Sequence, residues 1–480
     1  MAVLQQVFFL NIKSKNLQEQ SFLVISVGYL LLPNLIFLLG WIRWYWAIPI
    51  ASILLFAFFA FSNKNYLLDK KNDRLSHKEL VLLSLVALGI TFYTGIGNFT
   101  GQLIDFEKHN AVYHDLITKD WPVVYQSHQF VEEAVLLDYY LGWYLPVALL
   151  AKITTIHLTE VYAFIWSSLG LLLSLYWFLK ICGSKNWWMI LLFFFLGDLE
   201  SVYTTIRFLA KSTISDSFNL KVLLQELKMT DIIFANFTPN YSCQMTQYEW
   251  APQHSLGAWI STGLILHFCY FKRDNSYVLF LGSLVLLWSP FVAVGLLPII
   301  LISLTREFNS GFSGANLLAG PVLFAVMAIY YLAHFPQDFR WIWDVYENSQ
   351  GLYKMPLFIL IKFGLLFSIA YLLLRKDKNL QVLLITVAIS LSLFPLIYIG
   401  YQADFTMRAS SPAWFVLVAL VVIAFKKASG KKIKYFFFGL MVLSCTRYIF
   451  YGKHFQKKIE KTTIVQSKPL TRLYEIEWFN

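Results

Sequence analysis

The chain has 480 residues, 58% hydrophobic and 18% aromatic, with only 14% charged, where an ordinary soluble chain carries roughly 25% charged residues. That balance excludes a soluble globular domain and reads as a polytopic membrane protein. The formal net charge of +11 does not mark a nucleic-acid binder, because the lysines and arginines fall in short runs between long apolar segments, as membrane orientation requires.

Cys182, Cys243, Cys269 and Cys445 show no CxxC or metal-type spacing, so neither a disulfide framework nor a zinc site is expected. The first apolar run begins near Phe22 after a polar leader with Lys13 and Lys15, and no small-residue cleavage site follows it. It reads as a retained span.

A span needs about 20 mostly apolar residues. In chain order the candidates are 22–41, 44–62, 79–97, 161–180, 187–204, 255–271, 277–304, 315–333, 355–374, 380–399, 412–426 and 433–449. The fold class expected is all-α, a polytopic helical membrane protein of about 11 to 13 spans. The run 277–304 is too long for one ordinary span and carries Trp288-Ser289-Pro290 at its centre, where proline removes a backbone donor, so it reads as a broken helix or tight hairpin.

Basic short loops mark the cytoplasmic side: Lys64, Lys70, Lys71, Arg74 and Lys78; Lys272-Arg273; Arg375-Lys376 with Lys378; and Lys426, Lys427, Lys431 and Lys432. The count closes only if 134–152 does not cross and 277–304 crosses twice. The segment 134–152, with Tyr139, Tyr140, Trp143 and Tyr144 before an apolar finish, is expected to lie along the outer surface as an interfacial helix, the competing reading being an ordinary aromatic-rich span. One membrane domain, 1–449, results, with outer loops 98–160, 198–254, 334–354 and 400–411. The tail 450–480 is basic, through Lys453, Lys457, Lys458 and Lys461, yet the count puts it outside.

The outer loops hold the residues fit for chemistry. Asp105-Phe106-Glu107-Lys108-His109-Asn110 comes first, continuing to Asp120-Trp121-Pro122. In an extended loop Asp105 and Glu107 point the same way; on a helix they lie about 200° apart and Asp105 pairs with Lys108 and His109 instead. Either arrangement sets a carboxylate to act as general base, or to help hold a divalent cation through oxygen ligands. The competing reading is a solvated charged loop.

Asp198 ends a very apolar run and should face a protein interior or aqueous cavity. Gln253 and His254 open the next span and would bind a hydroxylated ligand. Arg408, in Asp404-Phe405-Thr406-Met407-Arg408, is made to grip a phosphate through paired hydrogen bonds; its competing partner is Asp404, one helical turn earlier. Trp288-Ser289-Pro290 reads as structural.

These motifs, in this order over residues 79–426, resemble the GT-C superfamily of integral-membrane glycosyltransferases. The resemblance implies a sugar donor on a polyprenyl phosphate or diphosphate and inversion at the anomeric carbon. The acceptor would be a lipid, glycan or protein hydroxyl, and the site would lie on the extracytoplasmic face of a bacterial cytoplasmic membrane. Asp105 matches the catalytic carboxylate or metal partner, and Glu107 its companion, with Mg2+ or Mn2+ as the cation they would hold. Lys108, His109 and Arg408 would serve the donor phosphate; Asp198, Gln253, His254 and Asp404 the substrate. Two extra spans precede the catalytic loop here compared with many members.

Spacing alone leaves Asp105, Glu107 and Asp198 all open as the base. The rival readings are a transporter or flippase of lipid-linked sugars, expected to show mid-membrane charges and internal repeats, and a polysaccharide polymerase or ligase, expected to lean on arginine and histidine.

Overall fold

The computed structural model describes residues 17–64, 75–125, 134–184, 186–197, 240–332, 339–345, 354–400, 403–428 and the single positions 435, 439 and 464. It is overwhelmingly helical, and among the described residues seven helices are long and apolar enough to cross a membrane. The chain is an all-α, multi-pass membrane protein.

The order begins with α1 (Leu17–Trp41), α2 (Trp44–Ser62) and α3 (His77–Tyr93). The start of α3 is fixed by a capping box: Ser76 Oγ accepts from Glu79 N at 3.3 Å and Ser76 N donates to Glu79 Oε2 at 2.6 Å, meeting two orphan groups of the first turn. Two shorter helices follow, α4 (Phe106–Thr118) and α5 (Leu145–Ile153). The long α6 (Thr159–Cys182) ends at Gly183, whose left-handed φ of 56° suits a residue without a Cβ.

The span expected at 187–204 appears as an eight-residue helix, α7 (Trp188–Phe195). Its chain turns at Gly197, where φ is +146° and an added Cβ would stand 2.4 Å from the Trp414 ring. Residues 198–239, with Asp198, lie outside the described residues. Helix α8 (Gln244–Trp250) leads into α9 (Pro252–Leu264), which widens into a π-helical stretch, Ile265–Phe271.

The apolar run 277–304 is a hairpin. A short α10 (Val278–Ser283) rises, the chain turns through Trp288-Ser289, and α11 (Pro290–Arg306) returns. Asn275 closes its base, with Nδ2 donating to Ser303 O at 2.8 Å and Glu307 O at 2.9 Å. Ser289 caps α11 by accepting from Val292 N, and Pro290 takes the position where a missing N–H costs nothing. Trp288 fills the apex, fully buried against Gly142 and Gly257, which leave room for its ring. Trp288-Ser289-Pro290 thus has a structural account.

Four more helices follow among the described residues: α12 (Ala315–Leu332), α13 (Lys354–Leu374), α14 (Lys378–Leu396) and α15 (Asp404–Lys427). Helix α15 is the central one, buried along most of its length. It crosses α11 so closely that a Cβ on Gly295 would lie 2.0 Å from Ala409 O. Because the obstacle is backbone, one helix must move. Gly295→Ala is expected to destabilise the protein by about 1–3 kcal/mol, the usual range for overpacking, read as a lower unfolding temperature in detergent.

The bundle has two chemically distinct ends. At one, Lys64 pairs with Asp274 at 2.5 Å, Lys427 with Asp377 at 3.0 Å, and Lys426 donates to Cys182 O at 2.8 Å. Lys64, Lys426 and Lys427, described members of the basic runs, therefore gather on one side, although they come from widely separated loops. At the other end lie α4, α5, α8 and the start of α15.

Helix α5 has nine residues, a length of about 14 Å that cannot span a bilayer. Its last turn reaches the surface at Leu150 and Ile153, whereas the stretch leading into it does not. Trp143 and Tyr144, expected at the lipid headgroups, are fully buried, and Gly142 N donates to Leu287 O at 3.0 Å. Apolar segments on both sides cover the aromatic rings, which bury more area in protein than an interface would allow. Ile464, the one described residue of 450–480, is buried at the same end, and its N–H donates to Glu160 Oε1 at 3.1 Å.

Candidate functional site

The end opposite the basic loops brings together side chains from α4, the stretch before α5, the α8–α9 junction and the start of α15. Helix α4 begins one residue after Asp105, so the helical alternative holds and the extended one does not. Asp105 occupies the N-cap position, where aspartate ordinarily accepts from a backbone N–H of the first turn. Here its backbone is α-helical, with φ −62° and ψ −19°, and the side chain makes no cap hydrogen bond. The carboxylate instead feels the charges of Lys108, Arg408 and Asp404. Burial pushes its pKa above the ordinary carboxyl value; Lys108 and Arg408 oppose the shift and Asp404 adds to it.

Glu107 faces solvent, on the other side of the helix from Asp105. The expected Asp105–Glu107 chelate is not formed, because two residues of helix turn them apart. Among the described residues no three His, Cys, Asp or Glu side chains stand together as metal ligands. The pair does not fit Mg2+ or Mn2+ by itself.

His109 is also placed differently from the expectation of a phosphate ligand. It is 2% exposed, its Nδ1 lies 2.5 Å from Tyr144 Oη and its Nε2 lies 3.3 Å from Trp250 O. A carbonyl only accepts, so Nε2 carries the proton and Nδ1 accepts from the tyrosine. Both nitrogens are used within the protein, and burial lowers the pKa to about 3. His109 ties α4 to α5 and to the end of α8 as a neutral ring.

That pinning has a pH signature. The folded pKa of about 3 lies below the ordinary 6.5, so the histidine's contribution is complete above pH 6.5 and drains away as pH falls toward 3. The loss should be about 2 kcal/mol by pH 5. His109→Gln is expected to flatten this acid slope in thermal unfolding measured between pH 7 and 5. An unchanged slope would assign the acid sensitivity elsewhere.

Arg408 and Asp404, one turn apart on α15, form an ion pair with Nη2 to Oδ1 at 2.8 Å. The pairing uses only part of the guanidinium. Its Nε is buried and has no partner, so the two readings made from sequence, an internal pair and an anion ligand, are compatible. His254 is 3% exposed and meets Tyr140 edge-on, ring centroids 4.6 Å apart, while neither ring nitrogen has a hydrogen bond. Gln253 beside it is buried with Oε1 unpartnered.

Sequence reasoning assigned the tyrosines of 139–144 to the lipid surface and so missed them as site residues. Tyr139 carries the Lys108 ammonium 4.6 Å from its ring centroid, Tyr140 sits against His254 and Phe291, and Tyr144 bonds His109. The signal was the hydroxyls: a tyrosine-rich patch suits a polar cavity wall as well as a headgroup belt. An open, mainly apolar groove of about 780 Å³ runs between α13 and α14, lined by Met355, Ile359, Phe363, Phe367 and Ala388. Tyr241 links the two regions, packing on Phe363 and stacking on Trp414 of α15.

No family model, curated protein or solved structure matches this chain. Its functional reading therefore rests on the site.

Proposed function

We propose that the chain is a glycosyltransferase that moves a sugar from a polyprenyl-phosphate or diphosphate donor to an acceptor hydroxyl, with GT-C-like chemistry. The observation that carries the reading is Arg408, whose guanidinium pairs with Asp404 at 2.8 Å and keeps a buried, unpartnered Nε, with the Asp105 carboxylate in its electrostatic field. A carboxylate of raised basicity stands in the field of a guanidinium with a free buried donor, at the end of the bundle away from the basic loops. That end would be extracytoplasmic by the positive-inside rule. The apolar groove beside α13 supports a donor that arrives from the lipid phase.

In this mechanism Asp105 takes the proton of the acceptor hydroxyl as its oxygen attacks the anomeric carbon. The bond from that carbon to the phosphate oxygen breaks, and its electron pair leaves on the phosphate. Arg408 meets the growing negative charge, and Lys108 adds to the field. Asp404 orients Arg408, and Gln253 with His254 would take sugar hydroxyls. Glu107, facing solvent, has no step here, and the mechanism assigns none to a metal ion.

The test is transfer of radiolabelled sugar from a panel of polyprenyl-phosphate donors by the purified protein. Transfer with inversion is expected for at least one donor, and its absence across the panel would remove the reading.

One observation favours transport instead. Glu19 in α1 is buried at the basic end and accepts from His267 at 2.8 Å and from Lys180 and Lys272 at 3.1 Å each. Charged clusters inside a bundle are common in transporters. Movement of a lipid-linked sugar across liposomes, without transfer, would establish that alternative.

A further inference from the structure

Between α12 and α13 the stretch 339–345 carries an exposed aromatic cluster that the chemistry above does not use. Phe339, Trp341 and Trp343 are 52%, 40% and 45% exposed. Trp341 and Trp343 stack with ring centroids 5.0 Å apart and 9° between their planes, and Phe339 meets Trp341 edge-on at 5.1 Å. Single exposed apolar residues are ordinary, whereas large rings in mutual contact on a surface mark a place that meets a partner.

The backbone holds these rings outward. Arg340 and Trp341 pair antiparallel with Tyr398 and Ile397, and Ile342, between the two tryptophans, is buried. The turn Ile342–Val345 packs on Phe394–Leu396, the end of α14. The same ladder leads to the candidate site, because Ile399 O accepts from Phe405 N at 3.1 Å in the first turn of α15.

Two observations identify the partner as lipid. The cluster lies at the ends of α12, α13 and α14 away from the basic loops, where Leu332, Leu357 and Leu393 are also exposed. It therefore stands at the head of the apolar faces that these spans turn to the bilayer. The polar groups beside the rings, by contrast, are engaged within the protein: Asp344 Oδ2 accepts from Trp341 N at 3.3 Å, and the Arg340 guanidinium stands 5.5 Å from the Tyr398 ring centroid. A sugar-binding face needs polar side chains aimed at its ligand. Amphipathic rings at the ends of spans suit the headgroup layer.

We propose that Phe339, Trp341 and Trp343 form a platform that docks into the headgroup layer of the leaflet opposite the basic loops, with the bilayer itself as partner. Through the ladder to 397–399 the platform sets the depth at which α15 begins, and with it the level of Arg408. The inference does not depend on the sugar-transfer reading.

The test uses the full-length protein, labelled with fluorotryptophan, in nanodiscs of phosphatidylethanolamine and phosphatidylglycerol. The fluorine resonance lost in Trp341→Phe and the one lost in Trp343→Phe assign the two signals, and unfolding temperatures close to wild type establish that each variant is folded. A nitroxide carried near the lipid headgroup should broaden both signals more than a gadolinium chelate in the water or a nitroxide at the end of the acyl chain.

Stronger broadening by the chelate would overturn the docking and leave a water-facing platform open to a glycan. Stronger broadening by the chain-end nitroxide would overturn it by placing the rings in the hydrocarbon core. Signals that none of the three reagents broadens would overturn it as well, since the rings would then be covered by protein.

Discussion

Asp105→Asn is expected to lower sugar transfer by about 10²- to 10⁴-fold, the usual contribution of a positioned general base, with donor binding retained. The substitution preserves shape and leaves no helix cap to lose, since Asp105 makes no cap hydrogen bond. Stability should therefore change little. The sharper readout is pH. Only the carboxylate form accepts a proton, and its pKa is raised by burial, so kcat/KM should climb with pH through a limb lying above the ordinary carboxyl range. The variant should lose that limb. Transfer kinetics across pH 4 to 8 check both statements. Equal rates for wild type and variant would move the search for the base to Glu107 and Asp198.

The second large effect is expected at Arg408. Arg408→Gln removes the group placed to meet charge on the leaving phosphate, a loss of about 10²- to 10³-fold by analogy with single oxyanion donors. It also strips Asp404 of its 2.8 Å partner, and an uncompensated, partly buried carboxylate destabilises the fold. The two consequences separate in the double variant Asp404→Asn/Arg408→Gln, which should recover most of the stability and none of the transfer. Arg408→Lys should rescue poorly, because an ammonium cannot bond Asp404 and the phosphate along two edges of one plane. Thermal unfolding and donor-saturation kinetics on the three variants provide the comparison. Full recovery of transfer in the double variant would assign Arg408 a structural role alone.

These effects would be felt through a scaffold with little slack. Gly295 lets α11 touch the backbone at Ala409, the residue after Arg408, and His109 holds α4 against Tyr144 and Trp250. The position of Asp105 relative to Arg408 therefore depends on packing made some distance from either.

Some of this was determined by the sequence alone. Composition fixed the class, because 58% hydrophobic residues arranged in runs of about 20 have no stable soluble arrangement. The basic runs marked one end of the bundle, since charge placement is a local property. Asp105, Lys108, His254, Asp404 and Arg408 could be singled out because ionisable residues beside apolar segments are costly unless used.

Tertiary structure decided what each of them touches. Whether Asp105 and Glu107 share a face depended on a helix beginning at Phe106, which no local cap announces. The tyrosines of 139–144 could serve lipid or protein until α4 and α9 closed over them. His109 could bind an anion until Tyr144 and Trp250 took both its nitrogens. Asp105 feels the charge of Arg408, some 300 positions away in the chain, and only the packing of the bundle brings that field to bear. Periodicity and charge are written residue by residue, whereas a site is a set of distances between segments, and those are set by which surfaces bury one another.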